Sequence, residues 1–124
     1  MRRFLLYIFP ILAYAGLIFF LSSRSSLPAP RIVGFDKVAH FGEYAILGLL
    51  FSRAMGGYGV RPRRAVVITI GLCLLYGVSD EVHQMFTPRR QADPLDLVAD
   101  VLGGSAGALT WYLLRRSPER GEKP

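Results

Sequence analysis

Between Phe4 and Leu21 no residue is charged. As a helix, a run of that length matches the ~30 Å hydrocarbon core of a bilayer. Segments of similar length follow at Asp36 to Ala54, Ala65 to Phe86 and Pro94 to Leu114, separated by stretches rich in Pro, Gly, Ser and Arg. Together they use most of a 124-residue chain that is 52% hydrophobic, with a mean hydropathy of +0.34. The expected fold is all-α, a transmembrane four-helix bundle. Helices are expected near 4–21, 36–54, 65–86 and 94–114, forming one domain over 1–116, with a polar cytoplasmic tail over 117–124. The first run resembles a signal peptide. It is longer than the usual signal core, and Ser22 to Pro30 lacks a small-x-small cleavage site, so it reads as an uncleaved anchor. Pro10 should bend it, leaving a carbonyl for a neighbour to satisfy.

The net charge of +6 does not point to nucleic acid, because Lys and Arg fall in short clusters between apolar runs rather than along one face. The clusters instead suggest an orientation. The N-terminus, the second loop with Arg53 and the tail hold ten of the fifteen basic residues, so these segments should be cytoplasmic. Seven of the nine acids then lie at the outer side: Asp36, Glu43, Asp80, Glu81, Asp93, Asp96 and Asp100. The expected location is a plasma membrane, multi-pass, with both termini inside and the lipid bilayer as the main partner. Cys73, the only cysteine, can form no internal disulfide and reads as a small packing residue.

Polar stripes recur at the outer helix ends. On the second helix Asp36, His40 and Glu43 share a face; on the third, Asp80, His83 and Gln84 do, with Glu81 off that side. On the fourth, Asp96 and Asp100 continue into Gly103 and Gly107, a small-residue face suited to close helix approach and more consistent with internal packing than with dimerisation. If the three ends share the outer surface, the stripes meet in a pocket roughly 10 Å deep. Simpler roles compete. Asp36 and Asp93 suit helix caps, Asp96 suits a helix N-terminus and His83 a C-terminus. The set as a whole reads either as a functional site or as an ion-pair network countered by Lys37, Arg89 and Arg90. Trp111 and Tyr112 read as an interfacial belt.

In order along the chain, Asp36-Lys37 with His40 and Tyr44, then Ser79-Asp80-Glu81, His83-Gln84, Phe86, Pro88 and Arg90, then Asp96, Asp100, Gly103 and Gly107 resemble the VanZ-like family of small bacterial integral membrane proteins. The resemblance covers roughly residues 22–110 and is carried by the combination rather than by any single motif. The family pattern takes Asn or Asp where Asp100 stands. The resemblance implies a multi-helix protein of the bacterial plasma membrane, in some members linked to glycopeptide resistance of the teicoplanin type.

The expected function is binding or processing of a cell-envelope ligand at the outer leaflet, such as a lipid-linked or anionic one. His40, Glu43, Asp80, Glu81, His83 and Asp100 are the candidate catalytic groups; Lys37, Tyr44, Gln84, Arg90 and Asp96 are the candidate ligand-binding groups. A divalent metal is a variant of this reading, though the spacing matches no diagnostic metal motif. The alternative is a non-catalytic module whose charges hold the bundle together or dock a partner. A carrier for protons or small ions is disfavoured by the apolar inner halves of helices 2 and 4.

Overall fold

Pro10 shapes the first helix. The chain enters as a π-helical turn, Phe4–Ile8, and continues as α1, Phe9–Ser22. Pro10 has no N–H for the Leu6 carbonyl and its ring crowds that oxygen, which accounts for the wider turn. Arg53 Nη1 donates to Leu6 O at 2.6 Å, so the freed acceptor finds the neighbour that a membrane span requires. The structure, a computed structural model, describes residues 1–24 and 32–116. The expected tail over 117–124 and most of the first loop lie outside the described residues.

Three helices follow: α2 Phe35–Gly57, α3 Pro62–Met85 and α4 Pro94–Arg116. Asp36 was the expected cap of α2, but it lies in the first turn, where Lys37 engages its carboxylate. Gly34 takes the cap position with φ of 81°, a left-handed backbone that only glycine adopts without strain. α3 starts earlier than Ala65 because Pro62 sits in its first turn, a place where a missing N–H costs nothing. Asp93 does cap α4, its Oδ1 accepting from the Leu95 N–H at 2.9 Å.

Side-chain contacts order the bundle. Tyr14 Oη donates to Glu43 O, Tyr76 Oη to Ala15 O, and the Ser52 and Thr69 hydroxyls bond at 2.9 Å. α1 and α3 therefore run one way and α2 and α4 the other. Along the α2–α4 seam, a Cβ on Gly107 would strike the Ala45 carbonyl, one on Gly103 the Phe41 carbonyl, and one on Gly48 the Gly104 backbone. The glycines serve internal packing, with the two backbones in contact. Cys73 is fully buried beside Gly104, as a packing residue should be. Trp111, expected at the interface, is buried against Gly56 instead.

The outside is apolar. Phe9, Leu12, Phe19 and Phe20 on α1 are each more than half exposed, as are Leu75 on α3 and Leu102 on α4. A belt of that size suits lipid and would be a liability in water. Phe4–Ser22, α3 and α4 are each long and apolar enough to cross a membrane. α2 has similar length, about 34 Å at 1.5 Å per residue, but Asp36, Lys37, His40, Glu43 and Arg53 make it more polar. Several of those charges turn toward the other helices, and their partners define the site.

Candidate functional site

The N-terminal ends of α2 and α4 and the C-terminal ends of α1 and α3 converge at one end of the bundle. The glycine seam holds α2 against α4 there, so His40 and Lys37 on one helix face Asp96 and Asp100 on the other. Two groups of charge result, one above the other.

The shallower group has a cation at its centre. Lys37 Nζ contacts Asp36 Oδ2 at 2.8 Å, Asp93 Oδ2 at 2.6 Å and Asp96 Oδ1 at 2.5 Å. An ammonium has three N–H bonds, and each has a carboxylate here. In the loop before α4, the Lys37 ammonium and the Leu95 N–H hold the Asp93 carboxyl below its ordinary range.

The deeper group consists of His40, Asp80, Glu81 and Asp100. One nitrogen or oxygen from each lies within 4.8 Å of all the others. His40 Nδ1 is 2.8 Å from Asp100 Oδ1, and His40 Nε2 points toward Asp96 Oδ2 at 3.7 Å. Asp100 is fully buried; Asp80 and Glu81 are 5% and 8% exposed. Glu81 Oε2 accepts the Asp93 N–H at 2.8 Å, while Glu81 Oε1, Asp100 Oδ2 and Tyr44 Oη are buried without a hydrogen-bond partner. Such orphans are uncommon in folded proteins, because each forgoes the full benefit of solvation. Gly77 keeps the space open beside Asp100, since a Cβ there would come 3.2 Å from Oδ2.

The other sequence candidates fall around this core. Glu81, which reads as off the polar side of α3, points in with Asp80 because the end of α3 sits between α2 and α4. His83 does not join: it stacks on Phe19 at 4.3 Å between ring centroids and shares a 2.9 Å hydrogen bond with Ser23. Gln84 Nε2 donates to Ser22 Oγ at 3.2 Å, and that hydroxyl lies beside Asp80. Glu43 is half-buried at the edge of the deeper group and outside the four-residue constellation. Arg90 donates to the Arg24 and Leu21 carbonyls, closing the end of α1. Arg89 turns away, with φ of 64° and an exposed side chain. Sequence reasoning missed Ser22 and Ser23. Two serines directly after an apolar run were the available signal.

Chemically, the deeper group can hold a cation or pass a proton between imidazole and carboxylate; the shallower one is already neutralised in part. A family model described as VanZ/LLP1 matches residues 4–115. The chain is also similar to a fission yeast protein, "Uncharacterized protein C11E3.10" of Schizosaccharomyces pombe. The two are 34% identical over 91 residues, 73% of this chain and 52% of the relative, so the chain spans about half the length of the curated relative it matches. No solved structure matches it.

Proposed function

We propose a function for the deeper cluster on one premise: the chain belongs to the VanZ/LLP1 family and is a membrane protein. The cluster is a ligand-binding site at the extracytoplasmic end of the bundle, and its ligand is a lipid-linked, phosphate-bearing component of the cell envelope. One observation carries this reading: the orphaned Glu81 Oε1 and Asp100 Oδ2. A purely structural ion-pair network gains by satisfying every buried oxygen, as the Lys37 group does, whereas a binding site leaves acceptors for a donor or cation that arrives with what it binds. The outward orientation follows from the arginines at the opposite end, Arg61, Arg63, Arg64, Arg115 and Arg116, which favour the cytoplasmic side.

A similar protein in a fission yeast favours a chemistry common to many membranes, such as lipid phosphate, over one confined to glycopeptide targets. The resistance link carried by the family resemblance would then be one consequence of handling envelope lipids. The competing reading, a structural or partner-docking module, fits the Lys37 group better than the His40 group.

A lipid-extract binding screen by native mass spectrometry tests the proposal, comparing the wild type with Asp80→Asn and Arg90→Ala. Asp80→Asn should lose a lipid that the wild type retains, and Arg90→Ala should weaken it by loosening the end of α1 over the site. Equal retention of every lipid by all three proteins contradicts the proposal. Labelling of cysteines at 61–64 from outside the cell contradicts the orientation.

A further inference from the structure

Three buried carboxylates would repel a phosphate, so a site that accepts one needs a cation of its own. Resting on the ligand-site reading above, we propose that His40, Asp80, Glu81 and Asp100 bind one divalent transition-metal ion between α2, α3 and α4. Their ligand atoms all lie within 4.8 Å of one another. Half that distance is close to the ~2.0–2.2 Å bonds that imidazole nitrogen and carboxylate oxygen make to such an ion. The 2.8 Å between His40 Nδ1 and Asp100 Oδ1 is near the spacing of adjacent ligands, roughly 3 Å when such bonds meet at right angles.

Proximity of acids alone would not make a site. Here Asp100 Oδ2 and Glu81 Oε1 are partnerless in side chains more than nine-tenths buried, and the fully buried Tyr44 hydroxyl also lacks a partner near Asp100 and Asp80. Each proposed ligand is also held from behind. His40 turns Nε2 toward Asp96, which Lys37 anchors; Glu81 Oε2 is fixed by the Asp93 N–H, leaving Oε1 for the ion; Ser22 lies beside Asp80. A carboxylate behind the far nitrogen of a ligating imidazole is the usual outer support of a metal site.

The donor set sets the class of ion. One nitrogen with three carboxylate oxygens suits Mn²⁺, Fe²⁺ or Zn²⁺ and gives no advantage to Mg²⁺ or Ca²⁺, which favour all-oxygen shells. The second trio of acids, Asp36, Asp93 and Asp96, is excluded as a metal site because Lys37 Nζ sits among its oxygens. With an open coordination position, the ion would anchor an anionic head group that the bare acids cannot.

The test uses the full chain, purified in detergent and stripped with chelator, titrated with Mn²⁺ or Zn²⁺ by calorimetry, and examined with Mn²⁺ by pulsed electron paramagnetic resonance. One ion per chain is expected, with nitrogen coupling that disappears in His40→Gln. Glu81→Gln and Asp80→Asn should each weaken binding by about 10-fold or more, while Asp36→Asn leaves it unchanged. Should either variant fail to fold, the wild-type stoichiometry and nitrogen coupling still decide. Absence of saturable binding, absence of nitrogen coupling, or equal preference for Mg²⁺ overturns the proposal. The two readings fail separately: variant-sensitive lipid binding without metal removes the metal alone, and metal binding without lipid retention removes the envelope ligand alone.

Discussion

The two charged groups at one end of this bundle are built from the same residue types on overlapping helices, yet only one is complete. Around Lys37, three carboxylates share one ammonium. Around His40, three carboxylates share one imidazole, and two of their oxygens have no donor. The first group is shallower and partly solvated, so water can supply whatever Lys37 does not. The second is enclosed, and nothing within the described residues completes it. Burial is costly for any acid, and an incomplete buried group is retained where something else completes it.

Both groups depend on α2 and α4 lying in backbone contact, so the change with the largest effect is one that separates those helices. Gly107→Val should place a side chain on the Ala45 carbonyl and destabilise the bundle by more than ~3 kcal/mol, seen as loss of monodisperse protein in detergent. Gly42→Ala, with open space around its Cβ, is the matched control and should be near neutral. Next is Asp100→Ala, which removes the carboxylate 2.8 Å from His40 Nδ1. Leaving the buried imidazole without that partner should cost about 3 kcal/mol in a detergent or urea unfolding titration.

Lys37→Met should have a smaller effect, on the order of 1–2 kcal/mol, because Lys37 is 29% exposed and water screens Asp36 and Asp93, so that Asp96 alone is left buried without its cation. It should leave metal affinity less affected than Glu81→Gln does, which separates the two groups by experiment. The smallest effect concerns Asp93. Its folded-state pKa lies below 3.8, so its contribution is fully present above pH 3.8 and is lost as pH falls through the lower folded value. Asp93→Asn should flatten that acid limb slightly in a melting-temperature series from neutral pH downward.

Much of the fold could be read from residues whose signals are local. Apolar run length gives the helices, Asp93-Pro94 opens the fourth, and the Gly103 to Gly107 spacing gives the close approach, whereas Pro62, which opens α3, reads as part of the preceding loop. The stripes on α2 and α4 were also legible, since His40 and Asp100 each lie on a helical face with other polar groups. What could not be read was the rotation of α3 between its neighbours. A 100° step per residue sets Glu81 well away from Asp80, yet a helix end wedged between α2 and α4 can point both inward. The fate of His83 depended on where α1 ends, which no pattern within α3 encodes; Phe19 and Ser23 draw it out of the group.

The melting temperature of Glu81→Gln in metal-free, lipid-depleted detergent tests most directly whether the deeper group is kept for a ligand rather than for stability. Gln retains an oxygen for the Asp93 N–H while removing the buried charge. If the group exists to bind, the variant melts at the same temperature as the wild type or above it. A clear drop would show that the Glu81 charge holds the bundle together, and the binding-site account would be contradicted.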